Sequence, residues 1–149
     1  MITYSELLFY AQKLALKLVD EHGVKEGDII CQCVERSITM VIGMMAIELC
    51  GCVYCPLSPQ DPEQRLFTLL KETKYRLLLV DQLTGKTFAS VSNRVDVESS
   101  ITDDRMINAD DADRLSKVEV TKESIAYIVF TSGSTGIPKA VSCEKIYLK

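Results

Sequence analysis

The stretch of the chain best suited to chemistry is FTSGSTGIPKAV, residues 130–141, which directly follows an apolar run. Its glycines permit a positive φ and a close backbone approach, so that exposed N–H groups can form an anion-binding concavity. Its hydroxyls add hydrogen-bond donors, and Lys139 adds a compact positive charge suited to phosphate. These features predict a loop that holds a polyphosphate, with that of ATP as the first candidate. The residues concerned are Ser132, Gly133, Ser134, Thr135, Gly136 and Lys139.

This loop differs from the common phosphate-binding pattern G-x-x-x-x-G-K-[ST]. Counting from Gly133, the second glycine of that pattern falls on Pro138, and Lys139 is followed by Ala140 instead of serine or threonine. The plain alternative is a Ser/Gly turn without a ligand. The Pro-Lys pair and the preceding strand favour the phosphate-binding interpretation, since proline stiffens the exit of the loop by fixing φ.

The elements that position the loop alternate between strand and helix. Strands are predicted at 28–34, 52–56 and 76–81, and helices at 4–21, at 37–50 and from Asp61-Pro62 onward. Thr3 and Glu6 form a capping-box pair, Ser37 is an N-cap, and Pro62 is the first residue of its helix. This order predicts an α/β fold with a mostly parallel sheet and right-handed crossover helices. A further strand at 124–131 brings the loop to the carboxyl edge, where open α/β sheets bind ligands.

Residues 82–120 are less regular, with short β-like pieces and the acidic stretch DDRMINADDADR at 103–114. Clustered aspartates raise the possibility of a cation site, but their spacing matches no known metal-binding loop. A solvated connection is therefore the expected structure here. The chain contains no internal repeat, no low-complexity segment and no linker that would divide it.

Composition excludes several classes of function. The net charge is −4, with neither a basic block nor interleaved aromatic and basic residues, which argues against a nucleic-acid partner. The run at 38–57 approaches the length of a membrane span, but Glu48, Gly51 and the β-type residues after them indicate a buried helix followed by a buried strand. We therefore expect no membrane association.

Six cysteines are present, and five of them lie within apolar runs. No basic N-terminal region of a secretory signal precedes them, so buried and reduced thiols in a cytoplasmic protein are expected. Cys31 and Cys33 are placed on one face of a predicted strand. The close spacing of Cys50, Cys52 and Cys55 could suggest zinc, but a second ligand pair is missing, and no metal site is predicted.

Three ordered stretches carry a resemblance to a known family. The string IAYIVFTSGSTGIPKAV, residues 125–141, closely resembles the phosphate-binding signature of the adenylate-forming (AMP-binding) superfamily, which includes acyl-CoA synthetases, luciferases and the adenylation domains of nonribosomal peptide synthetases. Residues 2–7 resemble the first core motif of adenylation domains, and residues 35–66 resemble the second. The start at Glu35-Arg36-Ser37 and the Pro59, Pro62, Arg65 pattern favour the nonribosomal peptide synthetase branch.

The resemblance implies a reaction and a set of binding residues. In that family a carboxylate attacks the α-phosphate of ATP, acyl-AMP forms, and pyrophosphate leaves with Mg²⁺; the loop embraces the β- and γ-phosphates. Such a role needs neutralised charge and in-line positioning. Mapped onto this sequence, the cofactor-binding residues are Thr131, Ser132, Gly133, Ser134, Thr135, Gly136 and Lys139, and no catalytic residue or metal ligand is assigned.

Some positions depart from the family pattern. Ala140 stands where the family has glycine, which predicts a stiffer loop or a denied positive φ. Lys145 aligns with a usual histidine, and Leu49-Cys50-Gly51 replaces Lys-Ala-Gly. The adenine pocket, the ribose-binding aspartate, the carboxylate pocket and the C-terminal lid of the family have no counterpart in the sequence.

We therefore expect residues 1–149 to be one incomplete AMP-binding domain, the N-terminal portion of an adenylating ligase that is inactive alone. Its partners in a complete enzyme would be ATP, a carboxylic acid, a missing C-terminal portion and a carrier domain. The alternative is a non-enzymatic module that binds nucleotide or phosphate. A small membrane-anchored or metal-binding protein is a third interpretation, which soluble expression without bound zinc would eliminate.

Overall fold

The structure, a computed structural model, describes residues 1–118, 125–132 and 138–144, with side chains described for residues 1–118 and 127–130. Within this part of the chain, helices and strands alternate from the first residues onward. The elements are α1 Tyr4–Asp20, β1 Ile29–Cys33, α2 Ile38–Leu49, β2 Val53–Pro56, α3 Glu63–Glu72, β3 Leu77–Val80, α4 Thr84–Thr87, β4 Arg94–Asp96, α5 Val97–Ile101, α6 Ala109–Ser116, β5 Ile125–Ser132 and β6 Pro138–Glu144.

The described strands form a single sheet in the order β4-β3-β1-β2-β5-β6. Neighbouring strands are parallel from β4 to β5, and only the last pair, β5 with β6, is antiparallel. The predicted α/β fold with a mostly parallel sheet and crossover helices is confirmed. Residues 38–57 contribute α2 and β2, and no helix in the described ranges is long and apolar enough to cross a membrane.

Helices cover both faces of the sheet. On one face α1 and α2 pack against side chains such as Ile30 and Leu79, and on the other α3 packs against Cys31 and Leu78. The alternation follows from the period-two geometry of a strand, and burial on both faces explains the continuous apolar runs. Cys31 and Cys33 share the α3 face, as predicted.

The predicted helix starts are confirmed, with one small correction. Thr3 accepts from the N–H of Glu6 at 3.2 Å and donates its own N–H to the Glu6 carboxylate at 2.7 Å. Ser37 caps α2 by accepting from the N–H of Met40 at 3.4 Å. Pro62 is the N-cap of α3 and not its first residue, since its ψ of 144° is extended and the helix begins at Glu63.

The segment predicted as a solvated connection is instead structured. β4 extends the sheet by pairing Val95 with Leu79, and Phe88 and Val97 are fully buried. Both arginines of its acidic stretch are paired: Arg105 lies 2.6 Å and Arg114 lies 2.5 Å from the carboxylate of Asp20 at the end of α1. These two arginines, Arg114 first, hold the pKa of Asp20 below its usual value. The acidic stretch therefore ties α6 to α1.

Gly43 of α2 is required by its packing against β1. A Cβ at this position would lie 1.9 Å from Oε1 of Gln32, a side chain that is 1% exposed and held by a hydrogen bond to the Met40 carbonyl. We expect Gly43→Ala to lower the free energy of unfolding by roughly 2 kcal/mol in urea denaturation, because overpacking outweighs the helix propensity gained. Gly85→Ala, whose nearest neighbour would lie at 3.6 Å, is the matched control and should be neutral or stabilising. Equal stability of the two variants would contradict this packing.

Candidate functional site

The carboxyl ends of the parallel strands meet at one edge of the sheet, which is the usual ligand-binding edge of such folds. Tyr127 of β5 lies level with Tyr54 of β2, so Val129 lies level with Pro56, the last residue of β2. β5 continues for three residues beyond that level, roughly 10 Å at the rise of an extended strand. The β5–β6 hairpin therefore projects past the carboxyl edge.

The predicted phosphate-binding residues lie at the end of this hairpin. Thr131 and Ser132 are the last residues of β5, and Lys139 lies in β6 in register with Thr131. Gly133, Ser134, Thr135 and Gly136 lie outside the described residues. The structure therefore brings the backbones of the two ends of the stretch together in adjacent strands, and the role of the seven residues stays a prediction.

The structure tests one of the two expectations for Ala140, the denied positive φ, and a stiffer loop stays a prediction. Ala140 pairs with Phe130 inside β6, an extended strand that alanine adopts without strain. In the described ranges, no residue other than glycine has a positive φ. The expectation that alanine denies a needed positive φ is therefore wrong, because β6 already includes this position.

A buried carboxylate fixes the edge where β1 and β3 end. Asp81, 5% exposed, accepts from the N–H of Glu35 at 2.7 Å and from the N–H of Thr84 at 2.8 Å. The Thr84 hydroxyl also donates to the carbonyl of Cys33 at 2.5 Å. Burial raises the pKa of Asp81, but these hydrogen bonds together lower it below the usual value. Asp81 is therefore a structural anion that holds the two loops in place.

A crevice lies between the ends of β1 and β2. β1 connects to β2 on one side and its neighbour β3 connects to β4 on the other, so the topological switch point of the sheet lies between β1 and β3, one strand away from this crevice. The cavity there has a volume of about 320 Å³, and Arg36, Tyr54, Ser58 and Gln60 are among its lining residues. Gln60 also bonds Glu35 at 3.2 Å, which links the two loops.

No sequence motif alone singles out the residues of this crevice. Arg36 belongs to the Glu35-Arg36-Ser37 motif, and Tyr54 lies within the strand predicted at 52–56. The available signal was positional: both lie at or near the carboxyl ends of strands that the alternating pattern predicts. Asp81, directly after a four-residue apolar strand, carried the same signal.

The described cysteines offer no metal site. Cys31, Cys33, Cys50, Cys52 and Cys55 are buried, and none of them forms a disulfide within the described residues, as expected. Burial, with the nearby Asp81 and Glu35 charges, raises the pKa of Cys33 to about 12, and a hydrogen bond with Cys55 raises that of Cys31. In the part of the chain with described side chains, no three His, Cys, Asp or Glu residues are placed to hold an ion.

The fold and this edge define a class: an α/β protein with a mostly parallel sheet whose ligand edge carries a projecting hairpin. Comparison with protein families narrows the class. The model of the family described as AMP-binding enzyme matches residues 1–145, and the chain belongs to this family.

Relatives among characterised proteins are very large synthetases. Malpinin synthetase of Mortierella alpina is 36% identical over 143 residues, which is 96% of this chain and 2% of that protein. Nonribosomal peptide synthetase 8 of Aspergillus fumigatus is 36% identical over 141 residues, 94% of this chain and again 2% of the relative. The chain thus spans a small part of the relatives that it matches.

Solved structures confirm the fold. The N-terminal subdomain of Klebsiella oxytoca NpsA, solved with 3-hydroxybenzoyl-AMSN, matches with a TM-score of 0.73 and 29% identity, over 96% of this chain and 34% of that one. The o-succinylbenzoate coenzyme A synthetase MenE of Bacillus subtilis, in complex with AMP, matches with a TM-score of 0.78 at 22% identity, over 96% and 36%. The predicted resemblance to the N-terminal part of adenylate-forming enzymes is confirmed.

Proposed function

We propose that residues 1–149 form the N-terminal portion of an ATP-dependent adenylating ligase, in which residues 131–139 hold the β- and γ-phosphates of ATP. The observation that carries the proposal is the family match over residues 1–145, which includes the hairpin that projects past the carboxyl edge. An incomplete AMP-binding domain is the matching domain assignment. It is supported by the coverage of only about a third of each solved neighbour.

The chemistry proposed for the loop is electrostatic. Main-chain N–H groups of Gly133 and Gly136, the hydroxyls between them and the Lys139 ammonium would neutralise the phosphate charge. A carboxylate oxygen then bonds to the α-phosphorus, the bond from that phosphorus to the bridging oxygen breaks, and pyrophosphate leaves with the electron pair. Holding the leaving group in line is what this loop contributes.

In this proposal Mg²⁺ binds only together with ATP, as MgATP. MenE of Bacillus subtilis was solved in complex with ATP and a magnesium ion. In the described part of this chain, no group of three or more His, Cys, Asp and Glu side chains can hold a metal ion, and Asp81 is occupied by backbone donors. We assign no magnesium ligand to this chain.

Partners follow from the relatives. The peptide synthetases among them support a carboxylic-acid substrate and a carrier domain as partners of the complete enzyme. The buried free thiols support a reducing compartment, the cytoplasm. The net charge of −4 favours neither nucleic acid nor an anionic membrane surface as a partner.

Two measurements on the chain test the proposal. Isothermal titration calorimetry should detect binding of MgATP, and ATP–pyrophosphate exchange with amino or aryl acids should stay at background, because the chain spans only 34% of NpsA. Absence of any ATP heat would refute the loop assignment. Exchange above background would refute inactivity of the chain alone.

The non-enzymatic alternative, a nucleotide-binding module, shares the ATP binding. The two functions differ in what they predict for a longer polypeptide that contains these 149 residues. If the chain is a ligase portion, that polypeptide should catalyse acid-dependent ATP–pyrophosphate exchange. If the chain is a binding module, it should catalyse none. The same exchange assay therefore separates the two functions.

A further inference from the structure

The crevice between β1 and β2 presents a cation, Arg36, for which the described part of the chain offers no partner. Arg36 is exposed and lies one residue before Ser37, the N-cap of α2. Its guanidinium has no hydrogen bond or ion pair with any side chain or backbone group that the structure describes. The other arginines of the chain with described side chains, such as Arg65 and Arg105, are all held by acids or carbonyls.

A second donor lines the same cavity. The Tyr54 hydroxyl accepts from Nε2 of Gln32 at 3.2 Å, and the same amide group donates to the Met40 carbonyl at 3.1 Å. The hydroxyl oxygen is thus used as an acceptor, and its hydrogen has no acceptor among the described residues. Burial raises the pKa of Tyr54, so the hydroxyl keeps this hydrogen at neutral pH.

The remaining lining is apolar or neutral. Val34, Met40 and Leu57 supply apolar surface, and Ser58 supplies one exposed hydroxyl. No carboxylate is among the described lining residues: Glu35 bonds Gln60, Asp61 pairs with Arg65 at 3.2 Å, and Asp81 is enclosed by backbone donors. Among its described lining residues, the crevice therefore combines one positive charge, two hydroxyl donors and an apolar wall.

The geometry points to a binding site for a small organic carboxylate in this crevice, with its anionic group on Arg36 and the Tyr54 hydroxyl and its apolar body against Met40 and Leu57. A volume of about 320 Å³ is at the small end of ligand pockets, which suits a monocarboxylic acid better than a nucleotide. A single guanidinium matches a single carboxylate in charge and in geometry. None of the lining residues that the structure describes belongs to residues 131–139, and the proposal does not depend on the role of that loop.

The test uses benzoate as the probe. Its binding is monitored through the amide chemical shifts of the ¹⁵N-labelled chain. We expect a Kd of about 1 mM, with shifts centred on Arg36, Tyr54 and Leu57. Arg36→Gln should weaken binding roughly tenfold, because a charge-assisted hydrogen bond is lost. Lys74→Gln removes an exposed positive charge before β3, at the opposite edge, and should leave the Kd unchanged.

A second variant distinguishes loss of the binding site from loss of the fold. Tyr54→Phe should also weaken benzoate binding, whereas Tyr4→Phe, at a tyrosine that is 73% exposed, should not. Unchanged urea midpoints establish that Arg36→Gln is folded. Absence of benzoate binding, equal binding of inorganic phosphate, or full binding by Arg36→Gln would each overturn the site. Lys139→Ala should bind benzoate normally, which separates this result from that of the proposed function.

Discussion

Replacing Asp81 by alanine is expected to lower the free energy of unfolding by about 3 kcal/mol, measured by urea denaturation at neutral pH. The carboxylate is buried, accepts the N–H groups of Glu35 and Thr84, and lies 3.0 Å from the Thr84 hydroxyl. Alanine leaves the N–H groups of Glu35 and Thr84 without this acceptor, and an unsatisfied buried donor costs more than a hydrogen bond contributes. The loops that follow β1 and β3 would lose their common anchor.

The control for this substitution is Asp104→Ala. Asp104 is exposed, and its side chain makes no hydrogen bond or ion pair within the described residues, so its loss should change stability by less than about 0.5 kcal/mol. Similar destabilisation by the two substitutions would contradict the role assigned to Asp81.

The pH dependence of stability gives a second test of the role of Asp81. The pKa of Asp81 is lower in the folded protein than its usual value, so its stabilisation is complete above the unfolded pKa of about 4. It is lost as the pH falls through the folded pKa. The stability difference between wild type and Asp81→Ala should therefore be constant near neutrality and shrink below pH about 4. A difference that grows at acid pH would contradict this assignment.

Lys139→Ala is expected to weaken MgATP binding by roughly tenfold or more in calorimetry, because a charge-assisted contact to phosphate contributes about 1.5–3 kcal/mol. Added salt should weaken binding by the wild type and reduce the difference between the two proteins, since exposed charges are screened. Lys139→Arg keeps the charge and should retain part of the affinity.

The matched control for Lys139 is Lys74→Ala. Lys74 is an exposed lysine that precedes β3, so it lies at the amino edge of the sheet, away from the hairpin. Its removal should leave ATP affinity unchanged. If both alanine variants bind ATP equally well, Lys139 does not contact the phosphates.

Local sequence patterns predicted the central fold because each signal there is short-range. The caps at Thr3 and Ser37 act within one helical turn, and the apolar run Leu77–Val80 requires helices on both faces. Alternation of such elements leaves few topologies once crossovers are right-handed. The parallel order around β1 follows from these constraints.

Structure outside these elements depends on contacts distant in sequence. β4 has three residues and is recognisable only from its pairing with β3, and α6 is tied to α1 by the ion pair of Arg114 with Asp20, 94 positions earlier. The crevice likewise requires the register of β1 with β2, which sets Gln32 beside Pro56. Residue types predicted the phosphate loop, but no pattern within one strand could place Arg36 and Tyr54 in one cavity.

The most direct test of the central claim is an ATP titration of the ¹⁵N-labelled chain, read at the amide resonances. We predict that MgATP shifts the amides of Gly133, Ser134, Thr135 and Gly136, and that the amides around Lys74 do not move. Unshifted amides at residues 133–136 at saturating ATP, or shifts confined to the crevice around Arg36, would contradict the assignment of this loop as the triphosphate site.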